Sequence, residues 1–412
     1  MPAVCFYFQV HQPYRVKRFR VFDIGQDHDY FVSPKESRLN NEAILQKVAG
    51  KSYIPTNRLM LELLAAHPRL RLSYSLSGVL LEQLEEFSPE ALKSFQELVS
   101  TGQVEILAET YYHSLSFIFS REEFIRQVKL HSRKVKSLFG LTPKVFRNTE
   151  LIYNNDLGKV VSELGFKGIL AEGADHILGW RSPNYLYSPP DSQIKLLLKN
   201  YRMSDDIAFR FSNPSWSDFP LMAPKFASWI SALNGSADVI NLFMDYETFG
   251  EHQWVDTGIF DFLRHLPGEI LKHPDNYFVT PSESVKKFPV RAAIDVPHFV
   301  SWADIERDIS AWLGNPMQDD ASARIYELES AVLATKNQKL ISDWRKLLTS
   351  DHFYYMCTKW FADGDVHKYF NPYESPYESF IAYMNVLQDL KLRIDSYTTR
   401  SPSIRLREGV RG

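Results

Sequence analysis

The hydrophobic pattern of the chain alternates between two periods. Short runs of β-branched and aromatic residues alternate with longer segments whose apolar positions recur at helical spacing, which is typical of a parallel α/β sheet or barrel. The predicted strands are residues 4–10, 70–76, 104–108, 145–149, 168–171, 196–202, 239–244 and 277–280. The predicted helices between them include residues 122–138, 157–164 and 259–271.

The pattern changes beyond Pro297. Helical spacing dominates there, and no further strand is predicted. The helical segments are residues 302–313, 322–336, 339–348 and 379–392. We therefore expect a catalytic barrel at residues 1–295, a helical domain at 296–395 and a loosely ordered tail at 396–412. Residues 15–51 are polar without a clear period, which predicts a long loop of the kind that often forms a lid.

Each predicted strand passes directly into a polar cluster. These clusters are residues 11–13, 75–77, 109–110, 149–150, 171–172, 204–206, 245–247 and 282–283. In parallel barrels the catalytic groups lie at the carboxyl ends of the strands, where several loops converge. Strand ends are polar for simple reasons of exposure too, but so regular a series favours an active site at this edge.

Composition and charge narrow the possible functions. The chain is 44% hydrophobic and 24% charged, the ordinary range of globular proteins. Its formal net charge is −3, so no nucleic-acid partner is indicated. Only two cysteines occur, which predicts a reducing compartment, hence a cytoplasmic protein, with neither disulfides nor a cysteine metal site. The sequence shows no signal peptide and no apolar run long enough to span a membrane, so we expect no membrane partner.

Two carboxylates at strand ends suit acid–base or nucleophilic chemistry. Glu150 follows the fourth predicted strand, and strict alternation sends Asn148 to its face and Arg147 to the other. We therefore expect Asn148 to be the strand-borne partner that keeps Glu150 ionised. Asp245 follows an apolar strand, whose burial would raise the pKa of this carboxyl and suit a general acid.

A second interpretation of the same residues is a metal site. His11 and the segment 245–252, which reads DYETFGEH, contain residue types that bind zinc. A metal-dependent sugar deacetylase or a zinc α-mannosidase would use them in this way. However, His11 has no HxxxH partner, and His252 lies seven positions beyond Asp245, so the spacing does not favour a metal.

Five segments together resemble the signature regions of glycoside hydrolase family 57. In order they are residues 11–13 (HQP), 102–107 (GQVEIL), 146–150 (FRNTE), 245–252 (DYETFGEH) and the segment 351–367. This resemblance implies an α/β fold, an incomplete TIM-like (β/α)7 barrel followed by an α-helical C-terminal domain that completes the active-site cleft. It implies a cofactor-independent enzyme without a metal, acting on α-glucan or malto-oligosaccharides.

The resemblance also assigns roles to residues. Glu150 matches the family's nucleophile and Asp245 its acid/base, which implies a retaining mechanism with the two carboxyls about 5 to 5.5 Å apart. The remaining expected substrate-binding residues are His11, Gln12, Glu105, His113, Asn148, Glu247, His252, Trp360, Asp363, Asp365 and His367.

The third signature leaves the reaction type open. Residues 147–149 (RNT) differ from the Trp-Leu-x pattern that precedes the Glu of several glucanotransferases, and so favour an α-amylase that cleaves α-1,4-glucan. A 4-α-glucanotransferase, or an α-1,6 branching or debranching enzyme, remains an alternative on the same scaffold. From another class, a non-catalytic glucan-binding protein could be built on such a scaffold.

Overall fold

A computed structural model describes residues 2–359 and 366–400, the last three by their backbone. The strands are β1 (Ala3–Val10), β2 (Leu72–Leu76), β3 (Val104–Ile106), β4 (Val145–Arg147), β5 (Gly168–Glu172), β6 (Leu186–Ser188), β7 (Lys195–Lys199), β8 (Val239–Asp245), β9 (Tyr277–Phe278) and β10 (Val290–Ala293). The first helices are α1 (Asn41–Val48), α2 (Ile54–Ala66), α3 (Gly78–Phe87), α4 (Pro89–Ser100), α5 (Ser116–Phe119), α6 (Arg121–Phe139), α7 (Asn155–Glu163), α8 (Asp175–Leu178) and α9 (Tyr201–Ala208). The later helices are α10 (Ala223–Ala232), α11 (Ile259–Leu271), α12 (Pro281–Lys287), α13 (Pro316–Glu327), α14 (Glu329–Thr335), α15 (Gln338–Leu347), α16 (Ser350–Tyr354), α17 (Val366–Phe370) and α18 (Pro376–Arg400).

The fold is of the α/β class, with two mainly parallel sheets. One sheet has the order β3-β2-β1-β8, with β9 also pairing with β1, and the other has the order β10-β6-β7-β5-β4. Only the β6–β7 pair is antiparallel among the described strands. Helices connect most of the parallel neighbours, as parallel pairing requires.

Hydrogen bonds join the two sheets at two places. Ala108, just beyond β3, forms a parallel bridge with Phe146 of β4. At the other side, the backbone N–H of Asn200 donates to the Asn241 carbonyl (2.9 Å), and the Asn241 side chain donates to the Leu198 carbonyl (2.9 Å). The strands β3 and β4, and likewise β7 and β8, are therefore neighbours across the sheet boundary.

An apolar cluster, here called the inner core, fills one face of both sheets. Its members are Tyr7, Leu107, Val145, Leu151, Leu170, Leu197 and Phe243, with Val285 and Trp302 packed against them. Because strand side chains alternate with a period of two, the residues two positions further along share this face. These residues, here called the polar layer, are Gln9, Glu109, Arg147, Glu172, Lys199 and Asp245. The polar layer thus lies at the carboxyl ends of the strands, directly next to the inner core.

All predicted strands are confirmed, and each overlaps one of β1–β5 or β7–β9. The predicted helices at 122–138, 157–164 and 259–271 correspond to α6, α7 and α11. Sequence patterns missed β6 and β10, and β10 gave no signal because it is exposed along its length and shows no buried face. The predicted loop at 15–51 contains α1, so it is partly helical.

The predicted helix at 302–313 is wrong. These residues form bends and turns, and Asp304 (φ 54°) and Arg307 (φ 52°) adopt left-handed backbone conformations that no α-helix accommodates. The guanidinium of Arg307 donates to the carbonyl of Trp302, which fixes a closed loop instead. The predicted helices beyond this loop correspond to α13, α14, α15 and α18.

The chain divides into two compact units. The first comprises residues up to Gln12, Leu45–Tyr111 and Arg126–Asp308, and the second comprises Pro13–Ile44, Tyr112–Ile125 and the chain from Ile309. The domain boundary expected at 295/296 stays a prediction. Within the described residues, none of the helices is both long and apolar enough to cross a membrane.

A buried carboxylate organises the second unit. Asp389 of α18 is fully buried and accepts hydrogen bonds from the Gly25 backbone N–H (2.6 Å), the Tyr30 hydroxyl (2.5 Å) and His28 Nδ1 (2.9 Å). These bonds attach the segment 13–44 to α18. The segment itself has little regular secondary structure, so such side-chain bonds have to fix its position.

We expect Asp389→Ala to destabilise the protein strongly. The substitution leaves the buried Tyr30 hydroxyl without this acceptor, at a cost of about 1 to 3 kcal/mol, and also removes the acceptor of the Gly25 N–H. Thermal unfolding should show a midpoint several degrees below that of the wild type. The exposed Glu327→Ala on α13 serves as the control and should leave the midpoint unchanged. An Asp389→Ala protein as stable as this control would contradict the account.

Candidate active site

Glu150 lies in a strained turn just beyond β4. The strand ends at Arg147, and residues Thr149–Leu151 form a 3-10 turn. Within it, Glu150 (φ 56°, ψ 26°) and Leu151 (φ 51°) both adopt the left-handed conformation. Such a conformation costs about 1 to 3 kcal/mol for a residue other than glycine, and such strain concentrates at functional sites. The backbone alone therefore marks Glu150 as a functional candidate.

Side chains around the turn hold this backbone in place. The Asn148 amide donates to the Ile152 carbonyl (3.0 Å), and the Leu151 N–H donates to the Asn148 carbonyl (3.0 Å). The Thr149 hydroxyl bonds the Thr110 hydroxyl (2.8 Å). Asn148 thus supports the turn through the backbone, whereas the sequence predicted that it would be the strand-borne partner of Glu150.

Trp302 contacts the Glu150 carboxylate. The indole Nε1–H donates to Glu150 Oε2 over 2.7 Å, and the Trp302 backbone N–H approaches the Glu150 carbonyl at 3.3 Å. The adjacent residues Tyr153 and Val300 form an antiparallel bridge with two bonds of 2.9 Å. A hydrogen bond from a neutral donor stabilises the ionised form of a carboxyl group, so this contact favours a charged Glu150.

Two cations flank the Trp302 ring. The Arg147 guanidinium lies 4.8 Å from the ring centroid, and Lys199 Nζ lies 5.3 Å from it. The prediction that Arg147 turns away from this side is wrong. Arg147 follows Val145 of the inner core by two positions and shares its face, while the turn after Arg147 interrupts the alternation before Glu150 is reached.

A buried ion network adjoins these cations. Lys199 Nζ lies 3.0 Å from Asp205 Oδ1 and 3.9 Å from Glu172 Oε2. Arg307 reaches the same two carboxylates at 3.5 Å and 3.8 Å. Burial raises the pKa of Glu172 to about 7, against the opposing effect of Lys199 and Arg307. Glu172 is consequently divided between its charged and neutral forms near neutral pH.

Asp245 is the last residue of β8 and is half-buried. It lies in register with Gln9 of β1, whose amide donates to Glu109 Oε1 (3.3 Å). Burial raises the pKa of the Tyr7 hydroxyl above its ordinary value; Arg147 lowers this pKa, and Glu109 and Asp245 raise it further. Asp245 and Arg147 thus lie within electrostatic range of the same side chain.

Glu247 follows Asp245 in the 3-10 turn Tyr246–Thr248. Burial, and next the charge of Asp245, raise the pKa of Glu247 to about 8, although hydrogen bonds from Tyr53 and Gln12 oppose this shift. Glu247 is therefore mainly protonated at neutral pH. The predicted residues Gln12, Asp245 and Glu247 are brought together.

His252 closes the same loop. Its backbone N–H donates to the Glu247 carbonyl (2.9 Å), and burial lowers the pKa of its imidazole to about 4. His252 is accordingly neutral at pH 7. His11, at the carboxyl end of β1, bonds the Ser77 hydroxyl through Nδ1 (2.6 Å).

Glu105 lies elsewhere in the first unit. Its carboxylate accepts from the Ser282 backbone N–H (2.9 Å) and the Ser282 hydroxyl at the first turn of α12. It lies near the amino end of β3, four positions before Glu109 of the polar layer. The structure therefore does not bring Glu105 to the strand ends, and its carboxylate serves as an acceptor for a helix terminus.

The remaining predicted residues belong to the second unit. His113 has a left-handed backbone (φ 49°), and its carbonyl accepts from the Ser350 N–H (2.9 Å). His367 stacks on Tyr354 with ring centroids 4.6 Å apart. Trp360, Asp363 and Asp365 lie outside the described residues.

Comparison with known families identifies the family of this chain. A family model described as Glycosyl hydrolase family 57 matches residues 5–297. The chain belongs to this family. Membership confirms the predicted resemblance and makes the chain a glycosidase. It favours the family 57 interpretation over the metal-dependent deacetylase and the zinc α-mannosidase.

Relatives within family 57 differ in their named activities. A Methanocaldococcus jannaschii protein named "Putative alpha-amylase" is 44% identical over 410 residues, covering 97% of this chain and 86% of the relative. A GH57-type branching enzyme from Pyrococcus horikoshii superposes with a TM-score of 0.72 at 17% identity, covering 97% and 91% of the two chains. A 4-alpha-glucanotransferase from Thermococcus litoralis gives 0.66 at 18% identity, covering 85% of this chain and 56% of that one.

Sequence reasoning missed Trp302, Lys199 and Glu172 as parts of this candidate site. Lys199 and Glu172 each follow a buried leucine of the inner core by two positions, so a charged residue on the apolar face of a strand was the available signal. Trp302 gave no such signal, because its contact with Glu150 depends on a loop that is distant in the sequence.

We expect the pH dependence of stability to change in Glu247→Gln. The folded pKa of about 8 exceeds the ordinary value of 4.5, so the folded state retains a proton that the unfolded state releases. The unfolding free energy of the wild type should therefore decrease between pH 4.5 and pH 8 relative to that of the variant. Urea unfolding at pH 5, 6.5 and 8 measures this difference, and a difference independent of pH would contradict it.

Proposed function

We propose that this chain is a retaining glycoside hydrolase of the α-amylase type that acts on α-1,4-glucan. Glu150 is the nucleophile and Asp245 is the general acid/base. The observation that supports this most directly is the hydrogen bond from Trp302 Nε1–H to the Glu150 carboxylate (2.7 Å), made in a strained left-handed turn. A nucleophilic carboxylate has to be ionised and fixed in orientation, and this contact favours both.

The reaction would proceed in two displacements. Glu150 attacks the anomeric carbon while Asp245 gives its proton to the departing glycosidic oxygen, which forms a covalent glycosyl-enzyme. Asp245, now ionised, then removes a proton from the incoming water as the water attacks the same carbon and releases Glu150. Two inversions at one carbon leave the product with the configuration of the substrate.

Glu247 supports this proton cycle through its protonation. With a pKa of about 8 it is mainly neutral at pH 7, so it adds little negative charge beside Asp245. A second ionised carboxylate would oppose the ionised Asp245 that the second displacement requires. The Tyr53 and Gln12 side chains hold Glu247 at this position.

The scaffold supports the same proposal. We infer that β1, β2, β3, β4, β5, β7 and β8 form the incomplete TIM-like (β/α)7 barrel, with the bonds at Ala108–Phe146 and at Asn241 joining the sheets. The polar layer then lies at the carboxyl ends of its strands, the usual location of catalytic groups in such barrels. The helices from α13 onward correspond to the predicted helical domain.

Glycosyl transfer is the second candidate. The similarity to structures of a branching enzyme and of a 4-alpha-glucanotransferase favours it. The two carboxylates would act in the same way, and a sugar hydroxyl would replace water in the second displacement. Hydrolysis remains our principal proposal, because the relative that is 44% identical over 97% of this chain is named "Putative alpha-amylase".

Product analysis should separate hydrolysis from transfer. We expect the protein to release new reducing ends from soluble starch, and NMR should show that the products first appear as the α-anomer. Incubation with maltotriose that yields longer and shorter oligomers without new reducing ends would show a transferase. Products that first appear as the β-anomer would contradict the retaining mechanism.

We expect Glu150→Gln to lower the rate on starch by about 10³-fold or more, because the amide cannot form the glycosyl-enzyme. Glu163→Gln on α7, an exposed Glu in the same unit, serves as the control and should retain full activity. Metal analysis of the wild type should accompany the assay. Full activity of Glu150→Gln would refute the assignment of the nucleophile, and stoichiometric zinc would support the metal-dependent alternative.

A further inference from the structure

Arg147 is buried at an unusual cost. Its side chain is fully buried, and none of its guanidinium nitrogens has a hydrogen-bond partner among the described residues. Taking a cation out of water without satisfying its donors is unfavourable for folding. Stability therefore does not explain an arginine at this position. The explanation has to come from the groups that surround it.

The contact that Arg147 does make is with the face of Trp302. The guanidinium lies 4.8 Å from the ring centroid, and Lys199 Nζ is a second cation 5.3 Å from it. A cation near an indole face draws electron density from the ring, and so strengthens the Nε1–H as a donor. Glu150 Oε2 accepts the hydrogen bond from this N–H.

The backbone of Trp302 is fixed as firmly as its ring. Arg307 donates to the Trp302 carbonyl and pairs with Glu172 and Asp205 at distances of 3.8 Å and 3.5 Å. The Ser301 N–H donates to the Arg307 carbonyl (3.0 Å), which closes the loop. The indole thus has little freedom to leave Glu150.

We propose, on the basis of the function proposed above, that Trp302 is a positioning residue for the nucleophile: with Arg147 behind its ring, it holds the Glu150 carboxylate ionised and aimed for attack. The burial of Arg147 is the energetic cost of this arrangement. Binding of sugar by the exposed part of the ring is not required for this role.

Several charged groups lie near Trp302 or pair with those that do. Arg147 comes from β4, Lys199 from β7, Glu172 from β5, Asp205 from α9 and Arg307 from the loop of Trp302 itself. Glu109 and Asp245 complete the charges on the inner face, since both act on Tyr7 together with Arg147. A substitution that keeps all of these charges isolates the contribution of the indole N–H.

Trp302→Phe meets this condition, because it keeps every charge and an aromatic ring near the cations while it removes the Nε1–H donor. We expect kcat/KM on a malto-oligosaccharide to fall about 10- to 100-fold, the usual strength of a hydrogen bond to a charged group. The acidic limb of the pH profile of kcat/KM should move to higher pH by about one unit, since the carboxylate loses a stabilising donor.

The matched control is Trp229→Phe on α10. Trp229 is also half-buried and also lies near a cation, Lys225, at 5.5 Å. The Trp229→Phe enzyme should keep the acidic limb of the wild-type pH profile of kcat/KM. A Trp302→Phe enzyme whose rate and acidic limb equal those of this control would overturn the proposal.

Arg147→Met separates function from stability. Removing a buried cation without partners should leave the thermal unfolding midpoint unchanged or raise it, while kcat/KM falls and the acidic limb moves upward. A variant whose unfolding midpoint is several degrees lower, and whose pH profile of kcat/KM keeps the wild-type acidic limb, would show that Arg147 is merely structural. That result would overturn its part in the proposal.

A fluorescence titration tests the same contact without activity. Ionisation of Glu150 should change the emission of Trp302, so the wild type should show a transition that is absent in Glu150→Gln and in Trp302→Phe. A transition that persists in Glu150→Gln would overturn the proposal. If Glu150→Gln is inactive and the acidic limb of the pH profile of Trp302→Phe is unchanged, only the positioning role is refuted. If Glu150→Gln is active, the proposed function itself is refuted.

Discussion

Strand alternation places charged side chains directly beside an apolar core, and the candidate site depends on this constraint. Tyr7, Val145 and Phe243 belong to the inner core, and the residues two positions later are Gln9, Arg147 and Asp245. A parallel sheet directs these side chains to one face and one edge. The polar groups therefore converge because the apolar residues before them are buried.

Bringing these charged groups together next to an apolar core raises the electrostatic free energy of the folded state. The individual groups reduce this cost in different ways. Lys199 and Arg307 pair with Glu172 and Asp205, and a bound proton makes Glu247 mainly neutral. The guanidinium of Arg147 lies near the Trp302 ring, and its nitrogens have no hydrogen-bond partner among the described residues. Residues that perform chemistry often sacrifice stability in this way, since a preorganised charge stabilises developing charge better than mobile water does.

The sequence predicted the larger features because they depend on local pattern. Long apolar strands such as β1 and β8 carry their own signal, and family motifs identified Glu150 and Asp245 as candidates. Trp302, Ile305 and Trp312 have helical spacing, yet Ile305 is exposed, because tertiary contacts of Arg307 impose a loop there.

The local geometry of the nucleophile was beyond such patterns. Alternation predicts the face of Arg147 correctly when it is counted from Val145, because both residues belong to the same strand. It fails when it is counted backwards from Glu150, because a turn separates Glu150 from the strand. The left-handed turn at Glu150 reverses the expected face, and no residue type in the segment signals it. The positions that deviate from local rules are thus those nearest the proposed chemistry.

The central claim is that Glu150 forms the covalent bond to the sugar. Its most direct test uses Asp245→Asn with α-maltosyl fluoride, whose leaving group needs no proton, so that the first displacement proceeds while the second is slow. Mass spectrometry of proteolytic fragments should find the maltosyl group on the peptide that contains Glu150. A maltosyl group on another carboxylate, or fluoride release without any labelled peptide, would contradict the account.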